Sequence, residues 1–237
     1  MTLCEWHWLE RYLVRANTSR RTRARSQRSV KLNERYDYDP APKGGGFRTR
    51  MPSLSPGLVA DMKRYLAGRR LDYGLASYNG WYPSSSAGDD LPRLVIPGTM
   101  TSRGPFWQAR SLAGGEPRYQ SPGGERNGAV IAVRPYTSTV LAAVVEGPMD
   151  ALVAAMYGRI GVAVMGHSPG PATLEAIALA VRPGVHSILF VPDLDSPGAF
   201  AVAMGTLASW GFWCTMRLPP RKDLAECQEE ERKDLLR

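Results

Sequence analysis

From Ala129 onward, short apolar runs alternate with helix-like stretches, and this alternation constrains the fold more than any other feature of the chain. AVIAV (129–133) and VLAAVVE (140–146) are compact, apolar and bounded by polar or turn residues, as buried strands are. PMDALVAAMYG then reads as a helix, VAVM as a short strand and PATLEAIALAV as a second helix. SILFVPD is another buried strand, PGAFAVAMGTLASWG another helix and FWCTMRL a last strand, while DLAECQEEERKDLLR predicts one polar terminal helix. Strands of this length separated by helices imply an α/β fold, a mostly parallel sheet with helices on both faces. In such sheets the chemistry gathers beyond the carboxyl ends of the strands.

The preceding half is different in kind. Residues 1–140 carry 22 Lys/Arg against 11 Asp/Glu, whereas residues 141–237 carry 8 against 11, so the basic character is confined to the front. A basic surface attracts polyanions by releasing their counterions, which makes nucleic acid the first partner to consider, with a solvated tail as the plain alternative. Much of the excess lies in Arg20, Arg21, Arg23, Arg25, Arg28 and Lys31, within a Ser/Thr-rich run followed by DYDPAPKGGG, which predicts a mobile basic arm over 1–55. Trp6, Trp8, Leu9, Tyr12 and Leu13 ahead of it have the spacing of one short amphipathic helix. SPGLVADMKRYLAGRRL predicts a helix, and RLVIPG and PFWQARSL predict two extended segments, so 56–128 reads as a small basic α+β subdomain before an α/β domain over 129–237.

Several function classes are excluded early. Cys4, Cys214 and Cys227 are too few and too scattered for a disulfide framework or a paired zinc site. The most apolar stretch, Val140 to Met156, is broken by Glu146 and Asp150, and Glu5 and Glu10 interrupt what a signal peptide keeps apolar. A cytoplasmic protein that does not enter membranes is expected. Gly44 to Gly46 lack a following GKS/T segment and read as linker, Cys4 with His7 has no second ligand pair, and His167 reads as a turn histidine. Trp81 and Trp107 read mainly as packing residues, with base stacking as the alternative if they are exposed.

The acidic residues are placed where a metal site is built. Glu146 closes VLAAVVE and precedes Gly147, with Asp150 one turn into the next helix; Asp193 and Asp195 close SILFVPDLD before Gly198; Asp223 follows FWCTMRLPPRK. In extended chain, residues two apart face the same way, so Asp193 and Asp195 are expected to converge. Clustered hard oxygen ligands suit Mg²⁺ or Mn²⁺, and a divalent cation relieves their mutual repulsion. Taken singly, Asp193, Asp195 and Glu146 read more simply as helix-start groups that cap and complement the dipole.

As an ordered set, EGPMDAL, DLDSPGAF and RKDLAE at successive strand-to-helix junctions resemble the Toprim domain, shared by bacterial-type primases, type IA and II topoisomerases, and certain nucleases and recombination factors. The similarity is strongest to primases: VVEGPMDALVAA resembles their EGYMDxL segment and LPPRKDLAE their LPxGKDPDE segment. LPRLVIPGTMTSRGPFWQARSLAGGEPRYQSPGG resembles their preceding basic subdomain, with Arg110 and Arg118 at positions the family uses to hold template and incoming nucleotide. Two departures stand out: Ala225 occupies a position where primases usually carry a second aspartate, and no four-ligand Cys/His set supplies a zinc ribbon.

The resemblance implies a primer-synthesising nucleotidyltransferase acting on single-stranded DNA with ribonucleoside triphosphates and Mg²⁺ or Mn²⁺. Asp193, Asp195 and Asp223 would hold metal and triphosphate, with Asp150 as a further ligand; Glu146 would be ligand or general base, and Arg110, Arg118 and Lys222 would neutralise phosphate charge. It also implies a replicative helicase and a zinc-binding recognition chain as separate partners, in a bacterial or phage-infected cell. The alternatives are a Toprim nuclease using the same metal centre, and a catalytically weak nucleic-acid-binding accessory, which Ala225 motivates.

Overall fold

A computed structural model of the chain describes residues 37–38, 47–48, 55–85, 91–100, 104–114, 116–122, 127–166, 168–182 and 184–237. The helix expected around Trp6 to Leu13, the arginine-rich run, Cys4 with His7, the glycines at 44–46 and His167 lie outside the described residues. Within 1–55, Asp37–Tyr38 (β1) pairs antiparallel with Phe47–Arg48 (β2). Tyr36–Arg237 form one compact unit.

After β2 come two helices, α1 (Pro56–Gly68) and α2 (Tyr73–Tyr78), followed by strands β3 (Tyr82–Ser84), β4 (Arg93–Met100), β5 (Gly104–Ser111) and β6 (Tyr119–Gln120). α1 starts as its sequence dictates, with Pro56 in the first turn where a missing N–H costs nothing. Asp72 caps α2 by accepting the Leu75 N–H at 2.9 Å. The C-terminal half runs β7 (Ala129–Val133), β8 (Leu141–Val145), α3 (Pro148–Met156), β9 (Ile160–Ala163), α4 (Pro171–Val181), β10 (Ser187–Val191), α5 (Pro197–Ser209) and β11 (Trp213–Met216). The chain ends in a single 3₁₀ turn, Leu224–Glu226, and α6 (Glu229–Leu236).

All strands after β2 join one sheet, ordered β11-β10-β8-β9-β7-β4-β5-β6, with β3 on β4. β8 to β11 are mutually parallel, whereas β7 runs antiparallel to β9 and meets β4 at Thr99↔Val130 and Met100↔Ala129. The expected mostly parallel α/β domain is therefore present, and its sheet continues into the antiparallel strands of the basic half.

Period-two alternation divides the core into two layers. Ala143, Val145, Leu189 and Val191 face a layer built with α1, α2, α3 and the C-terminal turn and helix. Ala142, Val144, Ile188 and Phe190 face the opposite layer, built with α4 and α5. α3 sits so close to β9 that a Cβ on Gly161 would lie 2.0 Å from the Ala151 carbonyl oxygen. Only glycine allows that approach.

One expectation needs correcting. The C-terminal segment is not one helix: Asp223 caps the 3₁₀ turn through Glu226 N–H (2.8 Å), and the helix restarts at Gln228, whose capping box with Glu231 fixes the new start. Trp81 and Trp107, 3% and 8% exposed, are packing residues as expected, and the stacking alternative, which required exposure, lapses. Among the described residues, no helix is long and apolar enough to cross a membrane.

Candidate metal centre

After β8 the chain crosses by α3 to β9 on one side; after β10 it crosses by α5 to β11 on the other. β8 and β10 are neighbours in register, Val145 opposite Val191, so the crossovers diverge between them and leave a crevice at their carboxyl ends. Glu146 leaves β8 at that crevice, and Asp193 follows β10 by two residues.

Carboxylate oxygens of Glu146, Asp193 and Asp195 all lie within 4.8 Å of one another there, the first buried, the second half-buried and the third exposed. The convergence of the two aspartates arises differently from the extended-chain expectation. β10 ends at Val191, and Leu194–Asp195 form a turn. Leu194 N–H donates to the Lys222 carbonyl (3.2 Å) and Ser196 N–H to the Asp193 carbonyl (3.1 Å), which folds Asp195 back beside Asp193.

Glu146 staples this turn to β8. Its Oε1 accepts the Asp193 N–H at 3.2 Å and the Ser196 hydroxyl, a very short contact. Ser196 precedes α5 yet makes no side-chain cap to it, its hydroxyl serving Glu146 instead. Sequence reasoning passed over Ser196, because a serine before SPG-type helix starts signals a cap.

Asp150 and Asp223 stand apart from this trio. Asp150 is buried one turn into α3, and its Oδ1 accepts the Ala225 N–H at 2.7 Å, tying α3 to the 3₁₀ turn. Burial, reinforced by Asp223 and Asp193 nearby, pushes its carboxyl up to about 8 against the Ala225 hydrogen bond that lowers it. A Cβ on Gly147 would lie 2.8 Å from Asp150 Oδ2, so the glycine after Glu146 makes room for that buried carboxyl. Asp223 is half-buried and caps the turn that Asp150 holds.

Of the basic residues, Arg110 and Arg118 lie elsewhere. Arg110 is on β5, four strands from β8 and on the order of 20 Å along the sheet at ordinary strand spacing. Its side chain is 5% exposed, lies over the rings of Tyr119 (4.7 Å) and Tyr65 (5.6 Å), and donates to the Tyr119 hydroxyl. Arg118, on the segment before β6, is exposed, as is Lys222 beside the acidic turn. Arg93, fully buried on β4, donates to the Pro117 carbonyl at 3.0 Å and anchors that segment.

Three hard carboxylates in one crevice repel each other; at ~5 Å and an effective dielectric of about 20, each charged pair costs roughly 3 kcal/mol. Their oxygens are hard donors gathered within 4.8 Å of one another, a set that would fit Mg²⁺ or Mn²⁺. Fold and site together define a Rossmann-like α/β sheet with an acidic cluster at its switch point. No family model matches the chain, and no curated protein matches it either. Among solved structures its fold is similar to one described as the DnaG primase catalytic domain bound to ssDNA, at 15% identity and a TM-score of 0.51, over 72% of this chain and 68% of that one.

Proposed function

We propose that this protein is the catalytic core of a primase-like nucleotidyltransferase, making short RNA primers on single-stranded DNA from ribonucleoside triphosphates. The observation that carries the reading is the convergence of Glu146, Asp193 and Asp195 at the switch point of a fold similar to a primase catalytic domain. Asp193 and Asp195 hold Mg²⁺ or Mn²⁺, with Glu146 as a third ligand or as the base for the attacking hydroxyl. When bound, the cation stabilises the charge developing on the attacking and leaving oxygens. The primer 3′-oxygen bonds to the α-phosphorus, the bond to the β-phosphate breaks, and pyrophosphate leaves as the hydroxyl proton is removed.

The remaining residues position. Ser196 orients Glu146, and Asp150 with Asp223 holds the 3₁₀ turn against α3. Arg118 and Lys222 neutralise phosphate charge on template and triphosphate. Arg110 holds Tyr119 and so the edge on which Arg118 is displayed. Residues 56–128 thus handle template, 129–237 carry the chemistry, and 1–55 add basic charge; a helicase and a zinc-binding recognition chain are partners in the cytoplasm of the bacterial or infected cell.

The test is primer synthesis on single-stranded DNA with labelled ribonucleotides and either metal. Alkali-labile, template-dependent products are expected. Shortened template without labelled product would establish the nuclease alternative instead, and DNA binding that neither needs metal nor leads to turnover would establish an accessory role.

A further inference from the structure

A second charged site lies between the end of α1 and the 3₁₀ turn. It is a cleft of about 610 Å³ whose lining includes Arg69, Arg70, Arg221 and Arg232 but one acidic residue, Glu226. Four guanidinium groups around one cleft repel each other, and a ligand carrying several negative charges relieves that.

Three observations go beyond the charge. First, Arg232 is 3% exposed; it donates to the carbonyls of Arg70 (3.3 Å), Arg69 (3.4 Å) and Ala225, yet its buried Nε has no partner. The three carbonyl bonds hold the Arg232 guanidinium as a fixed part of the cleft wall. Second, α1 closes with Leu71 N–H on the Leu66 carbonyl (2.9 Å) and Arg70 N–H on the Ala67 carbonyl (2.9 Å), which places Arg70 at φ 56. Chains ordinarily put glycine at that position, so an arginine there indicates that its side chain is used. That side chain reaches Gln228 Oε1 across the cleft, which keeps the guanidinium on the rim. Third, Arg221 Nε donates to Glu231 at 2.8 Å, which anchors an exposed guanidinium on the lining of the cleft.

We propose that this arginine cleft binds a phosphate-bearing ligand, either the polyphosphate of a nucleotide or the backbone of a nucleic-acid strand. Arg supplies the planar, bidentate donor pairs that phosphate oxygens match. The site needs no metal and is separate from the acidic trio, so it stands whether or not the chain synthesises primers. Its wall is tied to α3, because Ala225 lines the cleft while its N–H is held by Asp150.

The experiment uses the full chain in EDTA, so that the carboxylates hold no cation. Inorganic tripolyphosphate and, separately, a short oligo(dT) are titrated by calorimetry, with amide hydrogen exchange followed by mass spectrometry. Tripolyphosphate is expected to slow exchange across 220–232, and Arg69→Gln with Arg221→Gln to weaken its binding at least tenfold. Lys63→Gln with Arg64→Gln, which removes equal charge from the exposed face of α1, should leave affinity within twofold. Protection of 220–232 by oligo(dT) but not by tripolyphosphate would support the cleft with the strand backbone as its source. Unaltered exchange across 220–232 with both probes would overturn the proposal, and so would full tripolyphosphate affinity in the folded cleft variant.

Discussion

Asp150 shows how one side chain links the buried framework to the acidic crevice. Its carboxyl is buried and accepts the Ala225 N–H, and its proton is held up to about 8, far above the ordinary value of 3.8. A raised folded-state value means the folded chain binds this proton more tightly than the unfolded chain. The stabilisation is fully present below pH ~4 and is lost as pH rises from there through about 8. Asp150→Asn keeps an acceptor for Ala225 and removes the titration. In EDTA, the thermal midpoint of the wild type should fall more steeply between pH 5 and pH 8 than that of Asp150→Asn. Parallel curves would show that Asp150 does not titrate in this range. The sequence placed Asp150 among the metal ligands because it sits one turn after Glu146, but its hydrogen-bond partner is 75 residues away and has no local signal.

At the level of elements, the packing of α3 on β9 decides where Glu146 and Asp150 stand. Gly161→Ala would put its Cβ against the Ala151 carbonyl, a backbone atom that can yield only if the helix moves. About 3 kcal/mol of lost stability is expected, at the upper end for overpacking, read as a lower urea midpoint with unchanged slope. The strands that carry the site were legible: AVIAV coincides with β7, and VLAAVVE and SILFVPD contain β8 and β10. Their apolar runs are read directly because both faces of the sheet are buried. β3, β6 and α2 were not legible, being three, two and six residues long and held by neighbours rather than by their own periodicity. The break before α6 had a signal in Gln228 and Glu231, a capping box hidden within a continuous polar stretch. Ser196 and Arg232 act through residues 50 and more than 150 positions away, which no spacing rule reveals.

On the scale of the whole molecule, Arg110 and Arg118 stand at the other end of the sheet from the acidic trio. Arg110 and Arg118 belong to β5 and the segment before β6, and the carboxylates to the β8–β10 crevice. Residues 1–35 add nine Lys/Arg against three Asp/Glu, and Tyr36–Arg237 form a compact unit without them. Removing 1–35 should therefore leave the fold intact, weaken binding to single-stranded DNA and flatten its salt dependence, by about 0.7 in log–log slope for each phosphate that the arm neutralises. Affinity measured across a salt series checks this; an unchanged slope would mean the arm neutralises none.

The central claim is that Glu146, Asp193 and Asp195 hold a divalent cation. Mn²⁺ binding, followed by the enhancement of water-proton relaxation, tests it without requiring turnover. Wild-type protein should bind Mn²⁺ saturably, and Mg²⁺ should displace it. Asp193→Asn with Asp195→Asn should abolish that binding at unchanged helix content, while Arg118→Ala should leave it intact. Full Mn²⁺ affinity in the folded double variant would contradict the account.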